Sequence, residues 1–411
     1  MKINKNKIIN DPVFGFITIP NELIFDIIEH PYFQRLRRIK QLGLTNMVYP
    51  GALHTRFHHA LGAMHLMQLT LENLTTKGVK ISEEEHNASL IAILLHDIGH
   101  GPFSHTLEFS LLNGISHEEI SLIILHKLNA VYDGKLDLAI KIFKGEYERM
   151  FFHQLVSSQL DIDRIDYLRR DSFFTGVSEG TIGSERIIKM LDVRNDQIVV
   201  EEKGIYSIEN FLSARRLMYW QVYLHKTSVS AEEMLIQIIK RARHLTQKGD
   251  KVIATPALSM FLERNVSKND FEQDPDIIDV FALLDDSDVW GSMKFWVNHE
   301  DFVLSTLSKM LLGRKIFKIE MENSPQSQEK IDKIKKKIKA QFNLTSDEAE
   351  YFVGSGKISN EAYISSGQKI NILTKKGEII DIDTAVELPN IKAMSKIVTK
   401  YYLCCPKQVI I

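Results

Sequence analysis

Apolar residues recur with a helical period through most of the first 250 residues, so a largely α-helical chain is predicted. A serine followed by a glutamate at the third helical position marks two helix starts, at Ser82 and at Ser116. The pattern predicts helices in NELIFDIIEH, PYFQRLRRIKQLG, residues 58–76, SEEEHNASLIAILLHDIG, SHEEISLIILHKL, LDIDRIDYLRRDSFF and, as one very long helix, residues 207–245.

Strand signals are confined to three parts of the chain. Alternating residues around Asp11 and Gly15 predict an N-terminal hairpin, and VRNDQIVVEEKGIYS predicts a small β excursion. After Gly313 the strand-like segments KIFKIEME, YFVGSG and KINILTKKGEIIDI accompany a lysine-rich helix, SQEKIDKIKKKIKAQF. We therefore predict a mostly α fold with a helical body over residues 1–313, its core at about residues 50–175, and a smaller C-terminal α+β lobe over residues 314–411.

The composition is that of an ordinary globular protein, with 44% hydrophobic and 25% charged residues among 411. Lys and Arg total 51 and Asp and Glu total 53, so no global basic field favours nucleic acid as the main ligand. The N-terminus lacks the apolar run of a signal peptide, and no apolar stretch is long enough to span a membrane. With the adjacent Cys404 and Cys405 read as reduced thiols, we expect a cytoplasmic protein with no membrane partner.

Chemistry concentrates in HDIGHGPFSH, residues 96–105, directly after the apolar run ASLIAILL. On a continuing helix, His96 and His100 would share a face. A lone histidine on an apolar face is usually a satisfied core residue, but three histidines and an aspartate in ten residues favour a metal site. With a histidine upstream in TRFHHALGAMH and an aspartate downstream in LDIDRIDYLRRD, the nitrogen and oxygen donors suit Mn, Fe, Co or Mg better than Zn.

These motifs resemble a known family. The order H…HD…D is similar to that of the HD-domain metal-dependent phosphohydrolases. PYFQRLRRIKQLG, YPGALHTRFHHALG, HDIGHGPFSH, SHEE and DIDRIDYLRRDSFFTG further resemble its deoxynucleoside triphosphate triphosphohydrolase branch, strongly over residues 5–245. The resemblance implies an HD-domain helical core, conversion of a dNTP and water to a deoxynucleoside and inorganic triphosphate, and a homo-oligomer, with a tetramer favoured.

The resemblance also implies roles for individual residues. One divalent metal would be held by His59, His96, Asp97 and Asp163, and a second Mg²⁺ would accompany the triphosphate. His100 would contact the phosphates and His105 would protonate the departing nucleoside. The remaining acid–base residues would be His117, Glu118 and Glu108, although the family usually carries an aspartate where Glu108 stands.

Substrate contacts follow from the same resemblance. The phosphates would be bound by Arg56, Arg164 and Arg215, whereas each arginine alone would be read as part of a surface ion pair. The deoxyribose would be enclosed by Gln41, Leu42, Tyr167, Asp171 and Tyr223, of which the tyrosines alone would be read as core aromatics. No feature of the sequence selects one base.

A regulatory nucleotide site is a further implication. Lys7, Asn10, Gln34 and Arg37 match positions that bind an activating dNTP or GTP between subunits, Glu29 stands at the base-reading position, and His225 and Lys226 match phosphate contacts. In mammalian members of the family, activation uses two nucleotides bound together, which we call the dual-nucleotide scheme. Because Asp192 and Glu201 replace arginines while Lys203 is kept, we expect activation, if it exists, to differ from this scheme. The alternative is a packed helix with a basic outer face.

Two other functions stay open from the sequence. An HD-type phosphatase or phosphodiesterase acting on other nucleotides would share the metal site and differ in its products. A non-catalytic nucleotide-sensing protein would keep the pocket without turnover, and the intact set of histidines argues against it.

Overall fold

The structure is a computed structural model that describes residues 7–112, 114–360, 369–385 and 398–409. It begins with the predicted hairpin, in which β1 (Ile8–Asp11) pairs with β2 (Gly15–Thr18) in antiparallel register. The Asp11 side chain closes the turn, since its Oδ1 accepts the amides of Val13 and Phe14 at 2.9 Å each.

Helices form the body that follows, as the periodicity predicted. The first group is α1 (Glu22–Glu29), α2 (Pro31–Gln34), α3 (Arg56–Thr76), α4 (Glu83–Leu95), α5 (His105–Leu111), α6 (His117–Val131), α7 (Asp137–Lys144), α8 (Met150–Val156), α9 (Ile162–Thr175) and α10 (Ser184–Met190). The second group is α11 (Ile205–Met218), α12 (Lys226–Gln247), α13 (Pro256–Glu263), α14 (Lys268–Gln273), α15 (Asp276–Leu283), α16 (Asp286–Trp296) and α17 (Phe302–Leu312).

Both predicted capping boxes are present, at Ser82 with Glu85 and at Ser116 with Glu119. They fix the starts of α4 and α6. Both helices border the site described below, because the histidine-rich segment follows the last residue of α4 and α6 begins with His117.

Three helix predictions were wrong in extent. In PYFQRLRRIKQLG the α-helix covers only Pro31–Gln34, and a 3₁₀-helical turn at Arg35–Arg38 follows it. The helix before HDIGHGPFSH ends at Leu95, and His96–Gly99 form turns instead of a further helical face. The helix predicted over residues 207–245 is interrupted after a π-helical turn at Tyr219–Tyr223. His225 has an extended backbone there, and its Nδ1 accepts the Thr227 amide at 3.2 Å, so a new helix begins at Lys226.

The C-terminal part contains β5 (Lys318–Glu322), α18 (Gln328–Phe342), α19 (Ser346–Glu350), β6 (Gly354–Asn360), β7 (Asn371–Leu373), β8 (Ile379–Asp381), α20 (Ile382–Ala385) and β9 (Val398–Cys405). One sheet has the order β5-β9-β6 and is antiparallel. A second sheet has the order β3-β4-β7-β8 and joins β3 (Leu191–Arg194) and β4 (Gln197–Glu201) of the body to the C-terminal strands. The division at residue 313 stays a prediction, although both sides contribute to this sheet.

A single apolar cluster fills the interior and includes side chains from Ile17 near the N-terminus to Leu403 near the C-terminus. The mostly α fold with a short N-terminal hairpin is confirmed. Among the described residues, no helix combines the length and the apolar character needed to cross a bilayer.

Candidate active site

Three helices bring the four predicted metal ligands to one place. His59 comes from α3, Asp163 from α9, and His96 with Asp97 from the turn after α4. The His59 Nε2 atom lies 3.4 Å from His96 Nε2, 3.1 Å from Asp163 Oδ1 and 3.7 Å from Asp97 Oδ2. His96 Nε2 lies 3.4 Å from Asp97 Oδ1. His59, His96 and Asp163 each offer one donor atom within 4.8 Å of the others, which fits a divalent cation, and Asp97 belongs to a second such group with His100 and His117.

The electrostatics of this group favour positive charge. Burial opposes the charged form of His59, but hydrogen bonds with Asp163 and Asp166 outweigh it and raise the pKa of His59 to about 10. Burial likewise opposes ionisation of Asp163, yet the two histidines hold the pKa of that carboxyl below its ordinary value. A site that stabilises a proton between two carboxylates also suits a metal cation.

Each histidine ligand is oriented through its other ring nitrogen. His96 Nδ1 lies 2.6 Å from the carbonyl oxygen of Ile93, one turn back in α4. His59 Nδ1 lies 2.7 Å from Asp166 Oδ2, and this carboxylate accepts two hydrogen bonds of 2.9 Å from Arg170. Partners of this kind fix the ring and its tautomer.

The turn that carries His96–His100 is held in place from two sides. The buried guanidinium of Arg35 donates to the carbonyl oxygens of Ile98 at 2.8 Å and His100 at 2.7 Å. Gly99 donates its amide to Ser121 Oγ at 2.9 Å, and any Cβ at this position would lie 2.2 Å from the carbonyl oxygen of His117. Only glycine allows α6 to approach so closely.

Phe103 and Ser104 follow this turn with φ values of 53° and 52°. Two consecutive non-glycine residues in this region of backbone space are strained, as is common at functional sites. Ser104 Oγ accepts a 3.0 Å hydrogen bond from Arg56 Nε, and Arg56 Nη1 also pairs with Asp97. The predicted phosphate-binding arginine therefore lies against the metal group.

Of the predicted acid–base residues, His100 and His117 lie beside the metal group. The rings of His100 and His117 stack at 3.9 Å, and His117 Nδ1 lies 2.9 Å from Glu108 Oε1. Burial and then the Arg56 charge lower the pKa of His100 well below its ordinary value, so the ring is neutral. His105 begins α5, but its side chain lies outside the described residues. Glu118 is exposed on the first turn of α6.

A cavity of about 790 Å³ opens over this group. Its wall includes most of the predicted substrate residues, namely Gln41, Leu42, Arg56, Arg164, Tyr167, Asp171 and Tyr223, together with Asp97, His100, His117 and Asp163. Arg215 is buried and does not line this cavity, and its Nη1 donates to Gln159 Oε1 at 3.1 Å. Arg164 pairs with Asp161, the residue that caps α9.

At one end of the cavity a carboxylate is held between two rings. Asp171 Oδ1 lies 2.7 Å from His54 Nε2, and Asp171 Oδ2 accepts a 2.8 Å hydrogen bond from Tyr223 Oη. Tyr167 and Tyr223 meet edge to face at 6.1 Å, and burial raises the pKa of both phenols. These contacts build a rigid polar wall.

Several of these site residues were missed from the sequence. Asp166 and Arg170 could have been found, because they lie three and seven residues after Asp163 on one helix. Glu232 and Lys240 also line the cavity from one face of α12, and no local pattern marked them. Burial raises the pKa of Glu232 to about 8.

The residues predicted to bind a regulatory nucleotide come from the hairpin, α1, α2 and the start of α12. Lys7 and Asn10 are exposed, Glu29 is exposed at the end of α1, and Arg37 Nε donates to Gln34 Oε1 at 2.8 Å. His225 caps α12, and Lys226 beside it is exposed. The unmatched Glu201 pairs with Lys77 at 2.5 Å and with Lys203 at 2.7 Å, while Asp192 pairs with Arg194. The structure thus places these residues on the surface of one chain, and their role stays a prediction.

Comparisons with known proteins agree with this geometry. The family model "HD domain" matches residues 56–171, and "HD associated region" matches residues 182–256. The structure is similar to that of a phosphohydrolase from Bacteroides thetaiotaomicron, with 54% identity, a TM-score of 0.94, and coverage of 97% of this chain and 99% of that chain.

Two curated relatives bear on the assignment. The uncharacterized protein YwfO of Bacillus subtilis is 32% identical over 401 residues, which cover 93% of this chain and 88% of YwfO. The deoxynucleoside triphosphate triphosphohydrolase SAMHD1 homolog of Dictyostelium discoideum is 33% identical over 266 residues, or 60% of this chain and 51% of that protein. With the HD metal group and these relatives, the chain belongs to the HD-domain phosphohydrolase family and resembles its dNTP triphosphohydrolase members.

Proposed function

We propose that this protein is a metal-dependent dNTP triphosphohydrolase, which converts a dNTP and water to a deoxynucleoside and inorganic triphosphate. The observation that carries the proposal is a single cavity in which the metal group adjoins the Asp171–Tyr223 wall. This combination suits a phosphate at one end and a deoxyribose at the other. The similarity to the Dictyostelium enzyme supports it.

The metal would be held by His59, His96, Asp97 and Asp163, with Mn, Fe, Co or Mg favoured over Zn. When bound, a divalent cation supplies positive charge to the α-phosphate and activates water for attack. The protein contributes the fixed orientation of these side chains and a buried setting, in which charge interactions are stronger than in water.

The chain's own residues would handle phosphate and protons. We propose that Arg56 and Arg164 bind phosphate oxygens from the cavity wall. The predicted contact of Arg215 with the terminal phosphate would need its side chain to leave Gln159, since it does not line the cavity. Water attacks the α-phosphorus, and the bond from phosphorus to the 5′ oxygen breaks. His105 gives its proton to that oxygen, and the His117–Glu108 pair accepts the proton of the water. His100 as a neutral ring donates a hydrogen bond to the phosphate.

Sugar selection would come from the opposite wall. Tyr223 is fixed by its hydrogen bond to Asp171, and Asp171 is fixed again by His54, so neither can move aside easily for a 2′-hydroxyl. Gln41 and Leu42 would close the other side. A rigid wall of this kind discriminates strongly, because an extra hydroxyl meets a steric conflict and buried polar groups.

Product analysis tests this proposal. The purified protein with Mn²⁺ or Mg²⁺ is incubated with each dNTP, singly and in pairs, and the products are separated by anion exchange. We expect deoxynucleoside and triphosphate, whereas diphosphate and phosphate would indicate an HD phosphatase acting differently, and no turnover would indicate a nucleotide sensor. Asp97→Ala should lose a ligand and nearly all activity, while Asp26→Ala, an exposed carboxylate of α1, should not.

The paired incubations also test activation. We propose a homo-oligomer, with a tetramer favoured, whose response to dGTP or GTP differs from the dual-nucleotide scheme. Lys203, which is kept where Asp192 and Glu201 replace arginines, already pairs with Glu201 within the chain. A sample free of nucleotide that hydrolyses each dNTP at full rate, with no response to dGTP, would contradict activation.

A further inference from the structure

A buried chain of charged groups connects the N-terminal hairpin to the metal group. It starts at Asp11, the last residue of β1, and passes through Arg170 and Asp166 of α9 to His59 of α3. Arg170 Nη1 lies 2.8 Å from Asp11 Oδ2, and its Nε and Nη2 each lie 2.9 Å from Asp166. The side chains of Arg170, Asp166 and His59 are 0% exposed, so water does not screen these contacts.

The two histidine ligands differ in what orients them. The His96 ring is held by the carbonyl oxygen of Ile93, three residues earlier, in the helix that ends just before His96. His59 is held by Asp166, 107 residues away, and Asp166 depends in turn on Arg170. The hydrogen bond that orients the His59 ring is therefore a tertiary contact, whereas the one that orients the His96 ring is local.

Asp11 completes this arrangement from the hairpin side. Its Oδ2 accepts from Arg170, while its Oδ1 accepts two amides of the hairpin turn. The guanidinium is planar, so the acceptor at Nη1 fixes the direction of Nε and Nη2. These two atoms donate parallel hydrogen bonds to Asp166. Without Asp11, Arg170 would keep a buried Nη1 donor lacking this acceptor, and the grip on Asp166 would loosen.

We propose that Asp11, Arg170 and Asp166 are positioning residues of the metal site, so that the N-terminal hairpin sets the metal affinity of the active site through His59. This inference rests on the proposed metal site. The hairpin supplies none of the four proposed metal ligands, and this inference gives it a role in holding one of them in place. Partners behind a metal ligand typically change metal affinity by about 10- to 100-fold when they are lost.

The test uses Asp11→Asn in the full chain. Asparagine keeps a side-chain oxygen for the turn amides but replaces the acceptor of Arg170 with an amide group. Isothermal titration of the metal-free protein with Mn²⁺ measures the dissociation constant, and the visible spectrum of Co²⁺ reports ligand geometry. We expect the dissociation constant to rise about tenfold with an altered Co²⁺ spectrum, and Asp166→Asn to do the same or more.

Asp301→Asn is the matched control. Asp301 also accepts a helix-start amide, from Leu304 at 2.8 Å, and pairs with a buried arginine, Arg241, but far along the chain from the metal group. It should lower stability and leave the Mn²⁺ dissociation constant within twofold. Should Asp11→Asn not fold, Arg170→Lys carries the same test, since an ammonium keeps the charge without the two-point grip.

The outcomes separate the two proposals. Wild-type protein that binds neither Mn²⁺ nor Co²⁺ would overturn the metal site itself. Wild-type protein that binds while Asp11→Asn, or Arg170→Lys in its place, binds equally well would overturn only the role of the hairpin. Weaker binding in Asp301→Asn as well would overturn it too, because general destabilisation would then explain the effect.

Discussion

Gly62 lies inside α3 where that helix crosses α9, and its substitution by alanine tests the packing behind the metal group. A Cβ at this position would lie 2.0 Å from Arg170 Nη2 and 2.1 Å from Asp166 Oδ1. Both atoms belong to a fully buried ion pair, so they cannot swing into solvent. A methyl group needs about 3.4 Å or more, so α9 would have to move away from α3 by roughly 1.4 Å.

The expected cost follows from these distances. Gly→Ala inside a helix normally stabilises by about 1 kcal/mol. Here overpacking of the core costs about 1–3 kcal/mol, and a disturbed buried ion pair costs about 3–5 kcal/mol when fully broken. We therefore expect Gly62→Ala to lower the free energy of unfolding by about 2–4 kcal/mol in urea denaturation followed by circular dichroism. Because Asp166 orients His59, Mn²⁺ binding should weaken as well.

Gly291 provides the control for this prediction. It lies inside α16, and a Cβ there would meet no atom within 4 Å. Gly291→Ala should therefore show the ordinary gain, about 0.5–1 kcal/mol. If Gly62→Ala were as stable as Gly291→Ala, the close approach of α3 and α9 would be contradicted.

Three further predictions concern the cavity wall. Burial raises the pKa of Glu232 to about 8 against 4.5 ordinarily, so the native state retains a proton that the unfolded chain releases, and stability is lost as pH rises from about 4.5 to 8. This pKa difference corresponds to roughly 5 kcal/mol of stability at most, and solvent screening reduces it to about 2–3 kcal/mol. Glu232→Gln should therefore exceed wild type in stability by up to that amount as pH rises through this window. An equal gain at pH 4 would contradict the burial. Tyr223→Phe frees one oxygen of Asp171 and should lower the preference for dNTP over NTP by about tenfold in kcat/KM, whereas an unchanged ratio would exclude Tyr223 from sugar selection. Glu108→Gln removes the carboxylate that lies 2.9 Å from His117 Nδ1 and should reduce kcat about tenfold with little change in KM, while wild-type turnover would remove this pair from the mechanism.

Local patterns predicted most of the elements and the main candidate ligands. Capping serines, helical periodicity and the hairpin turn depend on residues close in sequence, so the chain order alone reveals them. The same patterns failed at His96–Gly99 and at Tyr219–His225, where residues distant in sequence contact the backbone at the helix break. Arg35, which grips the carbonyl oxygens of Ile98 and His100, is one such contact.

The sequence by itself determined the kinds of side chain available to the site, since the histidines and aspartates of HDIGHGPFSH and LDIDRIDYLRRD suit a divalent metal whatever their arrangement. Only the tertiary structure decided how they are held. His59 and Asp166 are 107 residues apart and Arg170 and Asp11 are 159 apart, yet they meet at 2.7–2.8 Å. Contacts between distant segments arise from the packing of α3, α9 and the hairpin, and no local pattern carries that information.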